Sequence, residues 1–114
     1  MEFNLRSEGD LVVIELPERV DANNTQELMD LVRGAMGKGT EVFILDGTRT
    51  AVLDSTALGG LVSLLRTLKT SSGKIALVGL QDSVRRVLAL AHLESVFALY
   101  PTVDAALTAL QVAC

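Results

Sequence analysis

The residues of this chain best suited to chemistry are Asp54, Ser55 and Thr56, three small polar side chains in a row between apolar Val52-Leu53 and Ala57-Leu58. Behind them Leu58, Leu61, Val62, Leu65 and Leu68 recur at three- and four-residue intervals, the period of a helix with one apolar face. That order predicts a hydroxyl presented at a helix start, with Ser55 or Thr56 capping the first backbone N–H groups. The same place suits a phosphate. Unpaired N–H groups and the positive end of the helix dipole stabilise an anion there without a dedicated basic pocket. The chemistry is that of an acceptor, because a nucleophilic serine needs an adjacent base. The single histidine, His92, falls far along the chain near the end of a later helix, where the C-terminal dipole accounts for it. No catalytic residue is assigned.

A second polar group, Asp21, Asn23 and Asn24, precedes another amphipathic stretch. Asp21 and Asp54 are both suited to orienting their loops through side-chain bonds to nearby backbone N–H groups. Gly59-Gly60 falls inside the helix that follows Ser55, where each glycine costs about 1 kcal/mol relative to alanine. Their presence implies a close approach there, by a neighbouring element or by a partner. Asp46, at the end of an apolar run, invites comparison with the phosphorylated aspartate of a response-regulator receiver. The acidic pair that would hold Mg²⁺ after a first strand and the lysine after a fifth are not in their places. No zinc-ligand spacing, P-loop or other phosphate-cradling glycine loop is present, so neither metal nor cofactor is expected and no enzymatic activity is assigned.

The elements that must position these groups alternate. Residues 2–7 and 11–16 read as an antiparallel hairpin turning at 8–10. Asn24-Thr-Gln-Glu27 reads as a capping box opening a helix through Leu28, Leu31, Val32, Ala35 and Met36, closed by Gly37-Lys-Gly39. Buried strands follow at 41–45 and 74–78, separated by the Ser55 helix, which runs to about Thr70 and is stopped by Ser71-Ser-Gly73. A helix from about Asp82, a short strand at 95–99 and a terminal helix capped by Thr102 complete the chain. Strands alternating with helices imply parallel strands joined by right-handed crossovers. The fold class is therefore α/β, one domain over residues 1–114 with a mixed sheet of about five strands and about four helices.

Composition narrows the function. Apolar residues make up 49% of the chain but aromatics only 4%, so the core is aliphatic and recognition by base stacking is not expected. A net charge of −4 with no basic patch beyond Arg85-Arg86 argues against nucleic acid. The alternating N-terminus does not read as a signal peptide, and no run approaches the roughly 20 apolar residues that span a bilayer. Cys114 has no second cysteine to pair with. A cytoplasmic protein without membrane insertion is the expectation.

Asp-Ser-Thr-Ala-Leu-Gly at 54–59 resembles the Asp-Ser-[Ser/Thr]-Gly-Leu-Gly signature of STAS domains of the anti-sigma factor antagonist family. Arg19-Val20-Asp21-Ala22 resembles that family's first motif loop, and 72–88 its fourth strand and third helix, with His92-Leu93 where a Gly-Leu turn is usual. Ala57 departs from the usual glycine. The resemblance implies phosphorylation at Ser55 and a partner surface comprising Asp21, Asn23, Asn24, Asp54, Ser55, Thr56 and Gly59. It also implies an anti-sigma factor partner that is a serine kinase of the histidine-kinase-like ATPase type. The unphosphorylated form would bind this partner and release the sigma factor; phosphorylation would end binding, and a serine phosphatase would reset the switch. An alternative implied by the same domain is a non-phosphorylated STAS subunit of a membrane lipid or anion transporter.

Overall fold

A computed structural model describes residues 3–111. The chain runs β1 (Asn4–Glu8), β2 (Leu11–Glu15), β3 (Arg19–Val20), α1 (Thr25–Gly37), β4 (Val42–Asp46), β5 (Val52–Leu53), α2 (Ser55–Thr70), β6 (Lys74–Val78), α3 (Asp82–Leu90), β7 (Ala98–Tyr100) and α4 (Val103–Gln111). The main sheet has the order β1-β2-β4-β6-β7. β1 pairs antiparallel with β2, and every later pairing is parallel, so the expected mixed five-stranded sheet with four helices is present. The hairpin turns on Gly9-Asp10 alone, with Gly9 at φ 65, a conformation a side chain disfavours. The expected first strand reached back to Glu2, which lies outside the described residues, as does Cys114.

Alternation along the strands sorts the core into two layers. Val12, Ile14, Phe43, Leu45, Ile75 and Leu77 face α1, α2 and α3, whose buried residues include Leu28, Val32, Leu61, Leu64, Leu68, Val84 and Leu88. Leu11, Val13, Ile44 and Val78 face the other way, under α4 and its buried Ala106. Beyond α4, that face of the hairpin is closed by charge, with Arg6 bridging Glu8 at 3.0 Å and Glu15 at 3.5 Å.

Three helices end in the same motif. After α1, α2 and α3 the backbone turns left-handed at Gly39 (φ 101), Ser72 (φ 64) and His92 (φ 60). The next residue's N–H returns to the helix: Thr40 to Ala35, Gly73 to Leu68 and Leu93 to Leu88, at 3.0, 2.6 and 2.9 Å. The Ser71-Ser72-Gly73 stop is thus real, but its glycine serves a different purpose from the left-handed turn. A Cβ on Gly73 would stand 2.7 Å from the Glu41 carbonyl oxygen.

Two differences from the sequence reading matter for the site. The last strand is Ala98–Tyr100, three residues later than expected, because Leu93 to Phe97 continue as hydrogen-bonded turns after α3. A second, two-stranded parallel sheet pairs β3 with β5 through Arg19–Val52 and Val20–Leu53. It ties together the two loops that carry the candidate site.

Candidate functional site

Asp54, in extended conformation, caps α2: its Oδ1 accepts from the Ala57 N–H at 2.9 Å. This corrects the expectation that Ser55 or Thr56 is the cap. Those residues are the first two of the helix proper, and both are exposed. Within the described residues their backbone N–H groups donate no hydrogen bond, as the first N–H groups of a helix commonly do not. The physical reason for the shift lies outside the local sequence. Asp54 Oδ2 also accepts from the Ala22 N–H at 3.1 Å, across 32 residues of chain, and the Asp54 N–H donates to the Val20 carbonyl at 3.2 Å. A carboxylate has two separate oxygens, Oδ1 for the Ala57 N–H and Oδ2 for the Ala22 N–H, whereas a hydroxyl would have to reach both loops from one oxygen.

The facing loop is braced by its own side chains. Asp21 Oδ1 accepts from the Asn23 N–H at 2.9 Å, and the Asp21 carbonyl accepts from the Thr25 N–H and the Thr25 hydroxyl at 2.9 and 2.6 Å. Asn24 is the residue before α1, but its side chain makes no capping bond, contrary to the expected capping box. Its Oδ1 accepts from the Asp21 N–H at 2.9 Å and its Nδ2 donates to the Arg19 carbonyl at 2.8 Å, so the loop rather than the helix claims the amide. Glu27 Oε2 is buried and has no hydrogen-bond partner among the described residues, so that oxygen does not complete the box. Glu27 lines a cavity of about 390 Å³ with Arg19, Asp21, Asn23 and Asn24. Ala22 and Asn23 are exposed at the loop tip, while Asn24 and Thr25 are buried beneath.

The paired glycines divide the work. A Cβ on Gly60 would stand 2.7 Å from Thr25 Cγ2, so Gly60 lets α2 approach α1 and belongs to the core. A Cβ on Gly59 would meet nothing within 4 Å, and Gly59 is exposed. Only Gly60 answers to a close internal approach.

The structure therefore brings Asp21, Asn23, Asn24, Asp54, Ser55, Thr56 and Gly59 onto two loops and one helix start held by shared hydrogen bonds. Further positioning residues carried no sequence signal. Thr50 is buried and its hydroxyl donates to the Pro17 carbonyl at 2.8 Å, and the Ser83 hydroxyl donates to the Ala51 carbonyl at 3.1 Å, fastening the approach to β5 on both sides. His92 sits at the far end of α3 in its left-handed turn, apart from this constellation in both its element and its hydrogen bonds.

An exposed serine thus follows a capping aspartate whose carboxylate also latches the second loop. The STAS domain model matches residues 2–106. The chain belongs to the STAS domain family. A curated relative from Thermotoga maritima, assigned to the anti-sigma factor antagonists, is 32% identical over 72 residues, which is 63% of this chain and 64% of that protein, just under two thirds of each. The crystal structure of a Thermotoga maritima protein with the same assignment superposes with a TM-score of 0.85 at 27% identity, covering 96% of this chain and 94% of the other. The anti-sigma factor antagonist SpoIIAA, solved in its unphosphorylated form, has the same fold, with a TM-score of 0.85 at 22% identity over 96% of each chain. A sulfate transporter family protein from Wolinella succinogenes also has this fold, with a TM-score of 0.69 at 18% identity over 88% of this chain and 84% of the other. No helix among the described residues is long and apolar enough to cross a membrane.

Proposed function

We propose that this STAS domain is an anti-sigma factor antagonist in a partner-switching pathway. Its unphosphorylated form binds an anti-sigma factor that is also an ATP-dependent serine kinase, and the sigma factor is released. Phosphorylation at Ser55 ends the binding, and a serine phosphatase restores it. The observation that carries the reading is the exposed Ser55 side chain at the first position of α2, directly after the capping carboxylate of Asp54.

The physical logic follows from that placement. A hydroxyl there is reachable by another protein's active site without unfolding, and a phosphate on it gains the unpaired N–H groups and dipole of α2. About two negative charges are then set beside Asp54, in the middle of a surface that also presents Asp21, Asn23, Thr56 and Gly59, with the buried Asn24 bracing the loop from beneath. Like charge in a buried interface costs several kcal/mol, enough to end a complex of ordinary strength. The relatives assigned as antagonists, and the SpoIIAA structure described by its phosphorylation state, support this reading. Cytoplasmic location follows from it, since sigma factors and ATP act there.

The test is to incubate wild type, Ser55→Ala and Thr56→Ala with the cognate kinase and ATP and weigh the products. Phosphate on wild type and Thr56→Ala but missing from Ser55→Ala is the expected result. Phosphate retained on Ser55→Ala overturns the site. No phosphate on any form, with a permease recovered as the bound partner, would favour the transporter-subunit role.

A further inference from the structure

We propose that a second copy of this chain docks on the β1–α1 edge, across a two-fold axis passing beside Gly34. The surface lies apart from the loops around Ser55 and the proposal stands independently of that reading.

β1 ends the strand order of the main sheet, so its edge away from β2 has no strand partner among the described residues. It runs five residues in regular register, without a bulge or a proline, and its two charged residues, Arg6 and Glu8, are opposite Val13 and Leu11 and so face away from α1. Leu5 is paired with Ile14 and so faces the α1 side of the sheet, yet it is 42% exposed. Beside it a groove of about 300 Å³ opens between β1 and α1, with Leu5, Leu31 and Ala35 on its apolar walls. Gly34 keeps it open: a Cβ there would meet nothing within 4 Å. Glycine is the poorest of the ordinary residues in a helix interior, and no internal contact calls for one here.

The charges on this groove are self-complementary. Asp30 and Gly34, four residues apart on one face of α1, and Lys38, the residue just past its end, all line the groove. Asp30 accepts a hydrogen bond from the Gln26 amide at 2.9 Å, and neither Asp30 nor Lys38 forms an ion pair among the described residues. A two-fold axis perpendicular to the sheet makes β1 antiparallel to the second copy's β1 and α1 antiparallel to its α1. With Gly34 opposite Gly34, each Asp30 meets the other copy's Lys38, which forms two equivalent pairs as an isologous interface requires. The open Cβ position of Gly34 gives the helices room to approach, and Leu5 is covered by its counterpart's wall. A strand edge calls for another strand, and this charge order calls for its own inverse; a second copy supplies both.

The test is sedimentation velocity of the full chain from micromolar to millimolar concentration, with melting curves confirming that each variant is folded. Wild type is expected to dimerise with concentration, more weakly at high salt. Asp30→Lys alone and Lys38→Asp alone each turn two attractive pairs into two repulsive ones and are expected to raise the dissociation constant about ten-fold or more. The double swap restores opposite charges and is expected to return the constant close to wild type. A wild-type chain that stays monomeric throughout overturns the proposal and leaves the groove to a different occupant. A dimer indifferent to the single reversals, or one the double swap fails to restore, overturns it equally.

Discussion

Replacing Asp54 separates its two duties and gives a magnitude that can be checked. Asp54→Ala removes the acceptor for the Ala57 N–H at 2.9 Å and the one for the Ala22 N–H at 3.1 Å. Losing a helix cap typically costs about 1 kcal/mol, and a second charge-assisted bond in a half-exposed place adds roughly another. The expected loss is about 2 kcal/mol. At about 2.1 cal/mol/K of unfolding entropy per residue over 114 residues, that lowers the melting temperature by about 8 °C. Asp54→Asn keeps one carbonyl oxygen, enough to cap α2, but loses the acceptor that holds Ala22 and the charge at the helix start. About half the loss is expected, with the Ala22 amide, rather than that of Ala57, becoming fast to exchange. Urea unfolding monitored by circular dichroism gives the first quantity and amide exchange by NMR the second. An alanine variant with the wild-type midpoint, or an asparagine variant as unstable as alanine, would refute the claim that one carboxylate latches both loops.

Because Asp54 rather than Ser55 is the cap, Ser55→Ala is expected to leave stability within about 0.5 kcal/mol of wild type while removing the phosphate acceptor, as urea unfolding and intact mass would report. His92→Gly should stabilise the fold by about 0.5–1 kcal/mol, since glycine relieves the left-handed strain at φ 60 but gains freedom in the unfolded chain; a drop in melting temperature would contradict this. The adjacent glycines of α2 should part in opposite directions on substitution by alanine. Gly59→Ala is expected to raise stability by up to about 1 kcal/mol, and Gly60→Ala to lower it by about 1–3 kcal/mol, because only the second meets Thr25. Gly59→Arg should abolish binding of the kinase partner, while Lys74→Glu at the opposite end of β6 leaves it unchanged; equal effects in a titration would move the interface elsewhere.

The sheet and the four helices were legible because each buries a face whose period shows in the chain: two along Leu11–Glu15, three and four along Ser55–Thr70. β3 and β5 were not. Two residues are too few to carry a period, and they pair through backbone contacts between segments 33 positions apart. The cap of α2 was not legible either: it falls on Asp54, just before the expected Ser55 or Thr56. Asp54, Ser55 and Thr56 are each competent to cap, and what selects the aspartate is the Ala22 N–H, brought near by folding. Asn24 fails as a cap for the same kind of reason, since the Asp21 N–H and the Arg19 carbonyl outcompete the helix for its amide. Gly59 and Gly60 read alike in sequence and differ only through the position of α1.

In the proposed switch, the charge state of Ser55 decides whether this domain binds its partner. The direct measurement is isothermal titration of the cognate anti-sigma kinase with the unmodified chain and with the chain phosphorylated at Ser55, side by side at physiological salt. Binding by the unmodified form and a loss on the order of a hundred-fold or more on phosphorylation are expected. Equal affinity for the two forms would contradict the proposed switch.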